Sequence, residues 1–97
     1  SMDKVPFFSI IISTRDRPAL FEIALNSVMQ QTFADTEFIV VVDGSSNANL
    51  LRYDELENRH KKVTFYHLEH RPNGHGQSYT MNYGASKSSG QYLCFLD

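Results

Sequence analysis

Four apolar runs divide the chain: FFSIII at 7–12, FIVVV at 38–42, VTFYHL at 63–68 and YLCFL at 92–96. Each is β-branched or aromatic, and none alternates cleanly with polar residues. Continuous runs of this length predict strands covered on both faces, as in a parallel sheet. The three segments between them are long enough for crossover helices. In the first, Phe21, Ala24, Leu25 and Val28 recur at helical spacing on one face. Asp16 or Arg17 is its expected cap, Pro18 stands in its first turn where the missing N–H costs nothing, and Gln30-Gln31-Thr32 closes it. The second helix is expected after Gly44-Ser45-Ser46, through Leu50, Leu51, Tyr53 and Leu56 to about His60, on a weaker pattern. The third opens after Gly74-His75-Gly76 and runs through Tyr79, Tyr83 and Ser86. Gly84 inside it points to close packing, because glycine costs a helix about 1 kcal/mol.

The order βαβαβαβ with right-handed crossovers predicts an α/β fold, a doubly wound parallel sheet of about four strands. Ligands of such sheets bind beyond the carboxyl ends of the strands, where strand order reverses. Four polar stretches stand at those ends: Ser13-Thr14-Arg15-Asp16-Arg17, Asp43-Gly44-Ser45-Ser46, Glu69 to Gln77, and Asp97. Three of them lead into helix N-termini, whose free N–H groups and positive partial charge favour anions. Arg15 and Arg17 add cations suited to phosphate oxygens. Asp43 can accept hydrogen bonds from a base or a ribose, and Asp97 can hold a divalent cation that bridges to a diphosphate. Each residue alone has a plainer reading. Asp43 before Gly-Ser is a good turn residue, the arginines can be merely exposed, and Asp97 can be an ordinary terminal residue. Opposite charges meeting at one sheet edge favour the functional reading.

Composition narrows the classes. The 97 residues suit one small domain, with 41% hydrophobic and 21% charged residues. A net charge of −2 gives no reason to expect a nucleic-acid backbone or an anionic membrane as partner. Lys61-Lys62 reads as a solvated helix end. The single cysteine, Cys94, sits in an apolar run and reads as a buried free thiol, which fits a reducing, cytoplasmic setting. No stretch approaches the roughly 18 apolar residues of a membrane span. Ser1-Met2 reads as a cloning scar, and residues 1–6 as scar plus N-terminal arm.

Competing motifs are weak. Gly74-His75-Gly76 begins a dinucleotide-type pattern, but Tyr79 replaces its third glycine and it follows the third strand rather than the first. His67 and His70 have a metal-like spacing, yet His67 lies in a strand run and neither has a thiolate near it. His75 between two glycines can touch a ligand. No Walker A sequence occurs, and no Ser-His-Asp arrangement can be argued from spacing.

The stretch FSIIISTRDRPALFEIALNSVMQQTFADTEFIVVVDGSS resembles the opening of family 2 glycosyltransferases of the GT-A fold, with their SIII start, S-V-x-x-Q-T helix end and V-V-D-x-S strand end. GQSYTMNYGASKSSGQYLCFLD resembles their G-x-S-x-A-x-N-x-G segment and the G-x-Y-x-x-F-L-D strand that follows. The resemblance covers nearly all of residues 8–97, departing at Thr80 (more often Ala) and Gly44 (more often Asp or Asn). It implies that residues 7–97 are the nucleotide-sugar-binding half-domain of such an enzyme, with a UDP-sugar as the usual donor. By position, Ser13 and Thr14 would line the nucleoside pocket and Arg15 and Arg17 would flank ribose or phosphate. Asp43 would hydrogen-bond uracil, and the loop from Arg71 through Gly76 and Gln77 would close over base or phosphates. Asp97 matches the first acidic residue of the DxD-like motif, which holds Mn²⁺ or Mg²⁺.

On this reading the chain stops inside that motif. Nucleotide binding without efficient sugar transfer is then expected, because acceptor site and general base would lie beyond it. A rival reading is a non-catalytic nucleotide-binding or assembly module. The fourth strand, with Tyr92, Leu93, Phe95 and Leu96, would leave an apolar sheet edge that a homodimer would shield. A plain dinucleotide binder would need a glycine fingerprint that the chain lacks.

Overall fold

The computed structural model describes residues 5–31 and 35–96. Strand β1 (Phe8–Thr14) is followed by helix α1 (Pro18–Gln31), β2 (Thr36–Asp43), α2 (Asn47–Arg59), β3 (Val63–Leu68), α3 (Gln77–Lys87) and β4 (Tyr92–Leu96). All pairings are parallel, in the order β3-β2-β1-β4. The expected α/β sheet of four strands is therefore observed. The chain steps outward from β1 to β2 to β3, then returns to the other side of β1. Right-handed crossovers running in opposite directions place their helices on opposite faces. Accordingly α1 and α2 cover one face and α3 the other.

Strand parity divides the core between these faces. Ile10, Ile12, Phe38, Val40, Val42, Val63 and Phe65 pack with Phe21 and Leu25 of α1 and Tyr53 and Leu56 of α2. Ile11, Ile39 and Val41 point the other way, toward Met81, Tyr83 and Ala85 of α3. The middle strands have the double cover that their apolar runs predict. β4 does not: Tyr92 through Phe95 are all exposed. Its backbone pairs with β1 and Leu96 packs against the core, but Cys94 is an exposed thiol and not a buried one. The expected apolar edge is thus present, bearing Tyr92 at 56% and Phe95 at 49% exposure.

The helix limits follow local chemistry. Pro18 opens α1, and the Arg17 carbonyl accepts the Phe21 N–H, which places Arg17 at the cap. Ser46 caps α2, its hydroxyl accepting the Asn49 N–H at 3.3 Å. Thr32, expected to close α1, lies outside the described residues. No helix among the described residues is long and apolar enough to cross a membrane.

Gly84 lets α3 settle on the sheet. A Cβ there would collide with Ile11 Cγ2 and press on Val41 Cγ2 at 3.3 Å. Alanine would gain about 1 kcal/mol of helix propensity, but overpacking costs about 1–3 kcal/mol. Gly84→Ala is therefore expected to be destabilising on balance, by about 1 kcal/mol, read as a lower urea midpoint with an unchanged m-value.

Candidate functional site

β1 and β2 end side by side, with Thr14 opposite Val42. Parity then sorts the polar residues that close them. Ser13 and Asp43 fall on the α3 face, and Thr14 on the α1/α2 face. Thr14 is buried and shares a hydrogen bond with the hydroxyl of Tyr53, which also accepts the Arg17 N–H at 3.2 Å. Ser13 shares a 2.8 Å hydrogen bond with Thr80 of α3. Tyr53 therefore anchors the β1–α1 loop from beneath, and Thr80 fixes the start of α3 against β1.

The β1–α1 and β2–α2 loops are clamped to each other. The Asp16 N–H donates to Ser45 Oγ at 2.9 Å. In return, Asp16 Oδ1 accepts the Ser46 N–H at 2.7 Å and the Asn49 side-chain amide at 3.1 Å. Asp16 thus serves the N-terminus of α2, not that of α1. It holds a left-handed backbone, φ 53°, a region that Asp tolerates better than most residues. The Ser46 backbone N–H, and after it the Asn49 amide, hold the Asp16 carboxyl below its ordinary value.

The segment after β3 straps across both strand ends. His70 Nδ1 donates to the Gly44 carbonyl at 3.0 Å, and Arg15 Nη2 donates to the Pro72 carbonyl at 2.7 Å. Asp43 receives the His75 backbone N–H on Oδ2 at 2.7 Å and lies 2.6 Å from His75 Nδ1 through Oδ1. Gly74 permits this closeness. Its φ is +69°, and a Cβ would lie 2.6 Å from Asp43 Oδ2 and 2.9 Å from Arg15 Nε. α3 then begins at Gln77 with Gly76 at its cap, which offers no side-chain cap hydrogen bond.

These loops surround an open cavity of about 460 Å³, lined by Ser13, Thr14, Arg15, Arg17, Asp43, Asn73, Gly76 and Gln77. Every nucleotide-binding residue expected from the sequence lies on this lining except Arg71. Arg71 is exposed, and its carbonyl closes the turn to Gly74, so Asn73 occupies the wall instead. Arg15 Nε is buried without a hydrogen-bond partner among the described residues. Asp97, the expected metal ligand, lies outside the described residues; β4 leads toward it, ending at Leu96 opposite Ile12. His67 and His70 do not come together. His67 Nε2 pairs with Glu57 at 2.9 Å, in a cluster with Asp54 that shares no residue with the cavity. Tyr53, Asp16 and Asn73 are the residues that sequence reasoning missed. The partners of Tyr53 and Asp16 lie far away along the chain; Asp16 and Asn73 stood in polar strand-end stretches and Tyr53 on the apolar face of α2, signals that did not assign these roles.

Such a cavity can bind a polar, anionic ligand. It offers guanidinium groups, free N–H groups at a helix start and one deeply set carboxylate acceptor.

Residues 9–97 match the model of the family described as glycosyl transferase family 2. A GalNAc(5)-diNAcBac-PP-undecaprenol beta-1,3-glucosyltransferase of Campylobacter jejuni is 30% identical over 96 residues, which are 96% of this chain and 29% of that protein. A validoxylamine A glucosyltransferase of Streptomyces hygroscopicus is 29% identical over 93 residues, 96% of this chain and 20% of that one. The chain thus spans under a third of the length of these relatives. A mannosyltransferase of Pyrobaculum calidifontis, solved with GDP-Man and Mn²⁺, superposes with a TM-score of 0.70 at 18% identity, covering 94% of this chain and 27% of that one. That likeness establishes the fold.

The Asp16 clamp has a defined pH signature. A carboxyl depressed in the folded state stabilises above its unfolded pKa, and that contribution is lost as pH falls through the folded pKa. Asp16→Ala is expected to lose about 1 kcal/mol at neutral pH. Its urea midpoint should converge on that of the unsubstituted protein as the medium is taken below the ordinary carboxylate range. A gap that stays constant into acid would show that the charge contributes nothing.

Proposed function

We propose, for a chain that belongs to glycosyl transferase family 2, that the cavity at the ends of β1 and β2 binds the nucleotide of a nucleotide-diphosphate-sugar donor, with UDP-sugar as the donor. The observation that carries this reading is the cavity itself. Arg15, Arg17, the buried Asp43 and an N-terminus of α3 without a side-chain cap meet in one space. Asp43 would accept an N–H of the base. Ser13 and Thr14 would line the nucleoside, and Arg15 and Arg17 would meet ribose or phosphate. Arg15 keeps donor capacity that no described residue takes up. The segment from Arg71 to Gln77 would lie over the ligand, with Asn73, Gly76 and Gln77 toward it and Arg71 outside.

The relatives named as glucosyltransferases and the neighbour bound to GDP-Man support a nucleotide-sugar donor as the class. In a longer protein this unit would present the donor for displacement at its anomeric carbon. Mn²⁺ or Mg²⁺, when bound, would supply positive charge at the leaving diphosphate. Both Asp43 oxygens already bond His75; the proposed ligand of the ion is Asp97. A cytoplasmic location is proposed with it, because the exposed Cys94 thiol suits a reducing compartment.

Calorimetric titration with UDP, GDP and ADP tests the reading. Saturable UDP binding is expected, weaker with ADP, and reduced at least about tenfold in Asp43→Ala, the scale of a lost hydrogen bond to a charged group. Mn²⁺ is expected to strengthen it, and Asp97→Asn to remove that gain. GDP binding above UDP would keep the donor class and correct the base. Absence of binding to every nucleotide would overturn the proposal.

A second reading rests on β4. Tyr92, Leu93 and Phe95 are exposed on a strand that pairs on one side only, and Phe7 extends this surface, its ring 5.1 Å from that of Tyr92. We propose that a second copy covers this edge, so that the nucleotide unit is a homodimer. Light scattering at high protein concentration is expected to give the dimer mass, and Phe95→Lys to return the monomer. A monomeric unsubstituted protein would refute the dimer and leave nucleotide binding untouched.

A further inference from the structure

His75 does more than tie a loop. Its side chain and that of Asp43 are only 5% and 6% exposed, and the one residue engages both carboxylate oxygens, Oδ1 through the ring and Oδ2 through the backbone. An ionised carboxylate only accepts hydrogen bonds, so His75 Nδ1 must carry the proton. The imidazole lies 5.1 Å from the Tyr79 ring at 28°, a stacked contact with the first turn of α3 that fixes its plane. Gly74 removes the Cβ that would separate strap from carboxylate. The carboxylate therefore reaches the cavity already oriented, with two donors holding its charge and with the remaining lone pairs as its only means of bonding a ligand.

We infer that His75 is a positioning residue that sets nucleobase selectivity by holding Asp43 as a fixed acceptor. The inference rests on the nucleotide reading above and adds a chemical rule to it. A fixed acceptor favours a base that presents a ring N–H, as uracil does at N3. It rejects cytosine, which presents a lone pair at that atom, because two acceptors would then face each other without a proton between them. Without His75 the carboxylate can rotate, and discrimination is lost. His75 touches no ligand in this scheme; it acts through Asp43.

The test compares UDP and CDP binding to the full chain and to His75→Ala and His75→Asn by calorimetry. The unsubstituted protein is expected to prefer UDP by at least about tenfold, the worth of one hydrogen bond to a charged group. His75→Ala should shrink that ratio toward unity. His75→Asn, whose amide can donate from near the Nδ1 position, should restore much of it. A purely structural role would weaken both nucleotides together and leave the ratio intact, which would overturn the inference while the nucleotide reading stood. Nitrogen-15 NMR of the ligand-free protein provides an independent readout. The His75 imidazole is expected as the Nδ1–H tautomer with a hydrogen-bonded proton that disappears in Asp43→Ala. An Nε2–H tautomer would overturn the inference whatever the chain binds. If no nucleotide binds, the nucleotide reading has failed; the selectivity rule falls with it, and the NMR result decides the His75–Asp43 pairing alone.

Discussion

The parallel register of β1 and β2 is the constraint from which the site follows. Because Thr14 stands opposite Val42, the two strands end within one residue of each other. Because side chains alternate, Ser13 and Asp43 turn toward α3 while Thr14 turns toward α2. A slip of one residue would send Asp43 into the apolar layer beside Tyr53 and Phe21, and would bring Val42 to the cavity. The apolar residues that precede the strand ends forbid that slip. Ile10, Ile12, Val40 and Val42 fill the layer under α1 and α2, and Ile11, Ile39 and Val41 the layer under α3. The position of the polar site is thus enforced by hydrophobic burial several residues away.

Apolar packing stops where the site begins, and hydrogen bonds between side chains and loops take over. Thr14 is held by Tyr53, Ser13 by Thr80, the β2–α2 loop by Asp16, and the strap by Arg15, His70 and Asp43. Each such bond adds little net stability, but leaving one buried partner unpaired costs about 1–3 kcal/mol. The arrangement is therefore all-or-none at the level of each pair. Rigid elements set where the loops start, and these pairs set where their side chains aim. The buried Arg15 Nε departs from the pattern. It lies beside Gly74, where no Cβ intervenes, on the wall that the nucleotide reading assigns to an anion.

Much of this was legible in the sequence, and the misses share physical causes. Apolar runs located every strand but clipped β1 before Ser13 and Thr14, and β2 before Thr36, Glu37 and Asp43. A run of hydrophobic residues cannot report polar positions that extend a strand into a site. Helix periodicity and cap chemistry placed all three helices, since those signals are local. Charge at a strand end is visible in one dimension, and Asp43 and both arginines do line the cavity. Arg71 was placed inside it because its position in a loop says nothing of which way its side chain turns. The service of Asp16 to α2, the Tyr53 anchor and the His75–Asp43 pair join residues about thirty positions apart or more, beyond the reach of any spacing rule.

β4 shows what an apolar run does and does not encode. Its sequence asks for cover on both faces, as do those of β1 and β2. The difference lies in the topology. α1 and α2 follow the sheet toward β3, and α3 crosses back over β1 and β2 before the chain reaches β4. α3 packs on β1 and β2, and the side chains of Tyr92 to Phe95 are left exposed. That surface and the cavity at the strand ends meet at α3. Gln77 lines the cavity and also borders a shallow depression with Ser78, Met81, Asn82 and Phe95. The exposed edge and the cavity at the strand ends thus share one helix, α3.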